Sequence, residues 1–114
     1  MSILLDPSYA DPYNKRGVIF YEKKMFQEAM NDFERAIELD PETPVYYYNL
    51  GNCFYETQSF ENALKCYSRA VEYDQSYSMA INKRGIVYYD TRRFEEALND
   101  FSRAISISPN SVYY

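Results

Sequence analysis

The chain has 114 residues, 46% of them hydrophobic, which is enough length and apolar content for one folded domain. Its formal charge of -5 argues against nucleic acid, which needs a basic face to displace counterions, and against docking on an anionic membrane. No apolar run approaches bilayer length, and the opening Met1-Ser2-Ile3-Leu4-Leu5-Asp6-Pro7 lacks the basic start and long apolar stretch of a signal peptide; the expectation is a soluble, cytoplasmic protein.

Residues 1–9 contain Ile3-Leu4-Leu5-Asp6-Pro7, which resembles Ile37-Glu38-Leu39-Asp40-Pro41 and reads as the tail of a preceding helix. A first helix is then expected from about residue 12 to 23, with Asp11 as N-cap and Pro12 in the first helical position, where its missing N–H costs nothing. A second runs from near Phe26 to just before Pro41. Its apolar residues Phe26, Ala29, Met30, Phe33, Ala36 and Ile37 recur at spacings of three and four, which gives a helix with one buried face. Thr43-Pro44 repeats the start signal, and Ser76 or Ser78 is placed to cap a third pair.

These elements recur with a 34-residue period. Gly17, Gly51 and Gly85 keep that step, as do Ala29, Ala63 and Ala97, and Ala36, Ala70 and Ala104. The aromatic series Phe26, Phe60, Phe94 and Phe33, Tyr67, Phe101 keep it too; Pro41 and Pro109 do, with Gln75 interrupting. The units are 10–43, 44–77 and 78–111, and Val112-Tyr113-Tyr114 begins what looks like a further unit. A mid-helix glycine costs roughly 1 kcal/mol against alanine. Three of them at one position therefore imply close helix approach, with Ala29 expected as the neighbour of Gly17. A helix pair this short cannot bury its own apolar face, so the units must stack.

The residues Tyr13, Gly17, Phe20, Ala29, Phe33, Ala36 and Pro41, with their counterparts Tyr47, Leu50, Gly51, Phe54, Ala63, Tyr67 and Ala70, and Ile81, Gly85, Tyr88, Ala97, Phe101, Ala104 and Pro109, resemble the tetratricopeptide-repeat signature over nearly the whole chain. The resemblance implies an all-α fold: a right-handed superhelical solenoid of three antiparallel helix-turn-helix units, about six to seven helices. Two departures stand out. Lys24, Gln58 and Arg92 occupy the turn where glycine is common, and Arg16 and Arg84 replace the leucine seen at Leu50, both expected to snorkel with their heads in water.

The family binds peptides or helices of partner proteins in a concave groove lined by the first helix of each unit. Carried onto this chain, the groove residues are Asn14, Lys15, Tyr21, Tyr48, Asn49, Asn52, Tyr55, Asn82, Lys83 and Tyr89. An asparagine gives and accepts a hydrogen bond at once, as an extended peptide backbone requires, and tyrosine adds apolar contact at small entropic cost. The same positions also suit packing and helix solvation. The chaperone-binding subtype grips an acidic tail with a carboxylate clamp, whose positions here hold Asn14, Val18, Asn49, Met79 and Lys83; only Asn49 and Lys83 suit it, and Glu22, Glu56 and Asp90 would repel carboxylates.

The alternative role is self-association. Family arrays usually end in a polar capping helix, and its absence would leave Ile105, Ile107, Tyr113 and Tyr114 as an apolar face for a second copy. A third role is that of a targeting or accessory part of a larger enzyme or co-chaperone. No enzyme chemistry is visible: the chain has no His and no phosphate loop, and Glu95-Glu96 reads as a solvated helix start. Cys53 and Cys66 form no CxxC pair and read as packing residues, so no metal and no cofactor are expected. Units one and three share Asn-Lys-Arg-Gly (14–17 and 82–85) and Asn-Asp-Phe (31–33 and 99–101), which unit two lacks. Either a duplicated two-unit block or a chemically distinct groove centre would account for it.

Overall fold

A computed structural model describes residues 9–107. Among them are six helices and no strands: α1 (Ala10–Glu22), α2 (Phe26–Leu39), α3 (Pro44–Glu56), α4 (Phe60–Tyr73), α5 (Ser78–Asp90) and α6 (Phe94–Ile107). Each odd helix packs against the even helix that follows, and each even helix against the next pair, so the layers build a solenoid 46 Å long and about half as wide. Residues 1–8, Pro109, Tyr113 and Tyr114 lie outside the described residues.

Helix α1 begins at Ala10, not Pro12, with Tyr9 at the N-cap position. Pro12 still falls in the first turn, whose N–H groups have no intrahelical partner, so it is tolerated one step further in. Thr43 precedes Pro44 as expected, but its hydroxyl donates to Asp40 Oδ2 at 2.7 Å instead of capping the helix.

The neighbour of each glycine is a ring rather than the alanine expected from the period. A Cβ on Gly17 would lie 2.7 Å from the Phe33 ring, and one on Gly51 would lie 2.7 Å from the Tyr67 ring. The glycine thus lets a bulky aromatic of the second helix lie flat against the first helix's backbone. Phe33 and Tyr67 are among the most deeply buried side chains, while the alanines beside them are fully enclosed.

All three odd helices end in the same motif. Lys24, Gln58 and Arg92 take φ of 64°, 63° and 64°, the left-handed region that favours glycine. The residue after each closes a long bond back into the helix: Met25 N–H to Phe20 O at 2.8 Å, Ser59 to Phe54 at 2.8 Å, Arg93 to Tyr88 at 2.7 Å. Side chains there are strained without being needed. Replacing Lys24, Gln58 and Arg92 together by Gly is expected to stabilise the protein by roughly 0.5–1 kcal/mol per site. Urea denaturation with an unchanged m-value checks this, and a fall in midpoint would refute it.

Both cysteines are buried and unpaired. Burial pushes the Cys53 and Cys66 thiols up to about 12. Folding therefore favours the protonated thiol. That contribution is complete below the ordinary thiol range near 9 and is lost as pH rises toward 12. A thiol-specific reagent at pH 8 is expected to leave both unmodified in the native protein and to modify both in denaturant.

Candidate functional site

Helices α1, α3 and α5 present one face in register, and side chains one repeat plus one residue apart meet across it. Asn49 Nδ2 donates to Asn14 Oδ1 at 2.8 Å, Tyr21 O–H donates to Glu56 at 3.4 Å, and Tyr55 O–H donates to Asp90 at 2.8 Å, each spanning 35 residues. The sequence reading missed the role of these acids: Glu56 and Asp90 hold the tyrosine column in place. Burial, then the Glu56 charge, pushes the Tyr21 phenol up to about 12. The hydrogen bond to Asp90, then burial, does the same for Tyr55. Both hydroxyls remain donors at neutral pH. Each ring is braced from below by the phenylalanine that starts the next helix, Tyr21 on Phe26 and Tyr55 on Phe60, with centroids 5.5 and 5.8 Å apart.

Lys83 lies over the Tyr55 ring, its Nζ 5.6 Å from the centroid, whereas Lys15 is exposed and pairs with Asp11 at 3.5 Å. Asn82 is half-buried and Tyr89 exposed; among the described residues neither makes a side-chain hydrogen bond, and Tyr89 rests only on Phe94 at 5.7 Å. The face therefore changes along its length. Its N-terminal part is internally bonded, and its C-terminal part offers free polar groups.

Two residues of the sequence-based set belong mainly to the interior. Tyr48 is buried in the largest apolar cluster, its ring against Tyr77 and Tyr67 at 5.3 and 6.0 Å. Asn52 accepts a 2.6 Å hydrogen bond from the Tyr67 hydroxyl, which satisfies a phenol whose ring is fully enclosed. The signal was present: where Tyr67 is replaced by Phe33 or Phe101, the position of Asn52 holds Val18 or Ile86.

The two arginines do more than snorkel: Arg84 is largely withdrawn from water, Arg16 stays exposed, and both are tied to a buried carboxylate. Arg16 grips buried Asp32 through Nε and Nη2, both at 2.8 Å, and Arg84 grips buried Asp100 the same way, also both at 2.8 Å. Arg84 reaches back a further 3.2 Å to Ser68 Oγ on α4. The carboxylate hydrogen bond raises both guanidinium groups above their ordinary value.

Among the described residues no cluster of His, Cys, Asp and Glu could hold a metal, and no helix is long and apolar enough to cross a membrane. At the C-terminal end, Ile105 is exposed as expected, but Ile107 is half-buried against the cluster containing Val71, Ile81 and Ala104.

Comparison with known proteins agrees with this geometry. A family model described as TPR repeat matches residues 19–58, and two described as Tetratricopeptide repeat match 44–77 and 78–111. Among solved structures, the first TPR of Spaghetti (RPAP3), bound to the HSP90 peptide SRMEEVD, superposes with a TM-score of 0.91 at 24% identity, over 94% of this chain and 85% of that one. The second TPR of the same protein, bound to the same peptide, gives 0.88 at 23% identity, over 95% of this chain and 100% of that one. The Arabidopsis OM64 TPR domain gives 0.90 at 25% identity, over 93% and 88%. No curated protein matches the chain. With its three helix pairs, their glycine-on-ring packing and these matches, the chain belongs to the tetratricopeptide-repeat family.

Proposed function

We propose that this protein is an interaction scaffold that holds an extended peptide or a helix of a partner protein on the shared face of α1, α3 and α5. The supporting observation is the ordered row of Asn and Tyr on that face, ending in Asn82 and Tyr89 with their polar groups unused. A buried peptide must pair its N–H and C=O groups, and Asn82 supplies a donor and an acceptor together. Tyr89 supplies an aromatic platform with a hydroxyl.

The charges on this face favour a ligand poor in carboxylates. Glu22, Glu56 and Asp90 are all exposed there, while Lys15 is already paired with Asp11. Of the positions that would clamp a carboxylate tail, Asn49 is engaged with Asn14, and Met79 and Val18 offer no charge. The acidic SRMEEVD peptide seen on the RPAP3 domains is accordingly expected not to bind here.

A randomised peptide library selected on immobilised protein tests the reading. Bound sequences are expected to be depleted in Asp and Glu, and their affinity to fall roughly tenfold or more in Asn82→Ala/Tyr89→Ala, about the effect of one or two lost contacts. A Lys65→Ala variant on the opposite side of the solenoid serves as control. Equal binding by the double variant would overturn the assignment of this face.

A second reading is favoured by the apolar surface of α6. Leu98 is 61% exposed and Ile105 51%, whereas their counterparts one repeat earlier, Leu64 and Val71, are 7% and 6% exposed beneath α5. We read this face as a site of self-association, since apolar surface of this kind marks an interface.

A further inference from the structure

The internal stacking of the chain specifies what surface would cover α6. Between the second repeat and α5, Leu64 and Val71 of α4 share one buried cluster with Val87, Arg84 reaches Ser68 of α4, and Tyr55 of α3 donates to Asp90. Advancing the second-repeat side by one period gives Leu98, Ile105 and Ser102 on α6 and Tyr89 on α5. Moving the α5 side back two periods gives Ile19, Arg16 and Glu22 on α1. Both sets keep the chemistry of the template: aliphatic against aliphatic, guanidinium against serine hydroxyl, phenol against carboxylate.

The α1 set is also uncovered among the described residues. Ile19 is 55% exposed, while Val87 and Cys53, which occupy its position in the later repeats, are 0% exposed. The Arg16 side chain is 62% exposed against 16% for Arg84, although both grip their aspartates identically. Among the described residues, no helix lies against Arg16 as α4 lies against Arg84.

Building on the self-association reading, we propose that the occupant of the α6 face is the α1 face of a second copy, docked head to tail in the register of the α4–α5 interface. Ile19 of the second copy enters between Leu98 and Ile105, Arg16 reaches Ser102, and Tyr89 donates to Glu22. Such a contact uses two different patches, so each added copy presents a fresh end, and repeating the screw step of the solenoid extends the assembly beyond a dimer.

Sedimentation equilibrium on wild type, Leu98→Glu, Ile19→Glu and an equimolar mixture of the two variants tests this. Both substitutions fall at exposed positions, and circular dichroism confirms equal helicity first. The wild-type mass is expected to rise with concentration past that of a dimer, and each variant alone to be monomeric. The mixture is expected to form a heterodimer and nothing larger, because one intact α6 face and one intact α1 face remain. If Ile19→Glu still self-associates and Leu98→Glu does not, the α6 face pairs with itself: self-association stands and the head-to-tail register falls. A monomeric mixture beside an associating wild type also overturns the register. A wild type that stays monomeric, or association that survives in both variants, overturns the self-association reading and the register together.

Discussion

Arg84→Leu is expected to destabilise the protein by about 3–5 kcal/mol, the usual cost of leaving a buried charge without its partner. The Asp100 carboxylate is almost fully enclosed and receives two hydrogen bonds from this one guanidinium. Of a total stability of about 5–15 kcal/mol, this is a large share. At roughly 4 °C or more per kcal/mol it should lower Tm by at least about 12 °C. The protein carries its own remedy. In the second repeat the same two positions hold Leu50 and Cys66, packed in one apolar cluster. The double variant Arg84→Leu/Asp100→Cys imports that pair and is expected to recover most of the loss, since replacing a whole buried ion pair by packed apolar groups is often neutral. Thermal denaturation of the two variants decides it. A loss below 1 kcal/mol in the single variant would mean that water reaches Asp100 and that the pair contributes little. Arg16→Leu should cost less than Arg84→Leu, because solvent already reaches the more exposed Arg16 side of that pair.

The second expected result concerns Asn52. Asn52→Val removes the acceptor of the Tyr67 hydroxyl, held at 2.6 Å inside the largest core cluster, and should cost about 1–3 kcal/mol for the stranded phenol. Tyr67→Phe should cost less, because half-buried Asn52 can turn to water. Combining them reproduces the Val18–Phe33 arrangement of the first repeat and should be milder than the sum. A denaturation double-mutant cycle reads the coupling directly. Strict additivity would mean that the hydrogen bond contributes nothing to stability.

These two pairs account for part of the likeness between the outer units, the shared Arg, Asp and Phe. Arg with Asp in units one and three stands against Leu with Cys in unit two; Val or Ile with Phe stands against Asn with Tyr. Each joins the two helices of a repeat, so that part of the alternation has a cause in packing. The 16-residue spacing of Arg16–Asp32 and Arg84–Asp100 was visible in the chain. It went unread because a charged pair far apart in sequence has no local signature. Only the antiparallel fold-back of one helix on the other brings it together.

The chain alone determined the family, the number of repeats and the class of every element. A 34-residue period in Gly, Ala and aromatic residues leaves one economical solution, helix pairs that bury their faces on one another. It also placed Tyr21 and Tyr55 in one column and Asn14 and Asn49 in one strip, because repeat position fixes the helix face. The tertiary structure decided which members of that face remain available. Tyr48 and Asn52 share the periodicity of the others, yet Tyr77 at the end of the same repeat and the core hydroxyl of Tyr67 draw them inward. Among the described residues, the side-chain polar groups of Asn82 and Tyr89 make no hydrogen bond. Periodicity reports direction from the helix axis. Depth depends on what the second helix of the repeat and the start of the next place opposite, as Tyr67, Tyr77 and Ile81 do here, and that is settled only when the helices are packed.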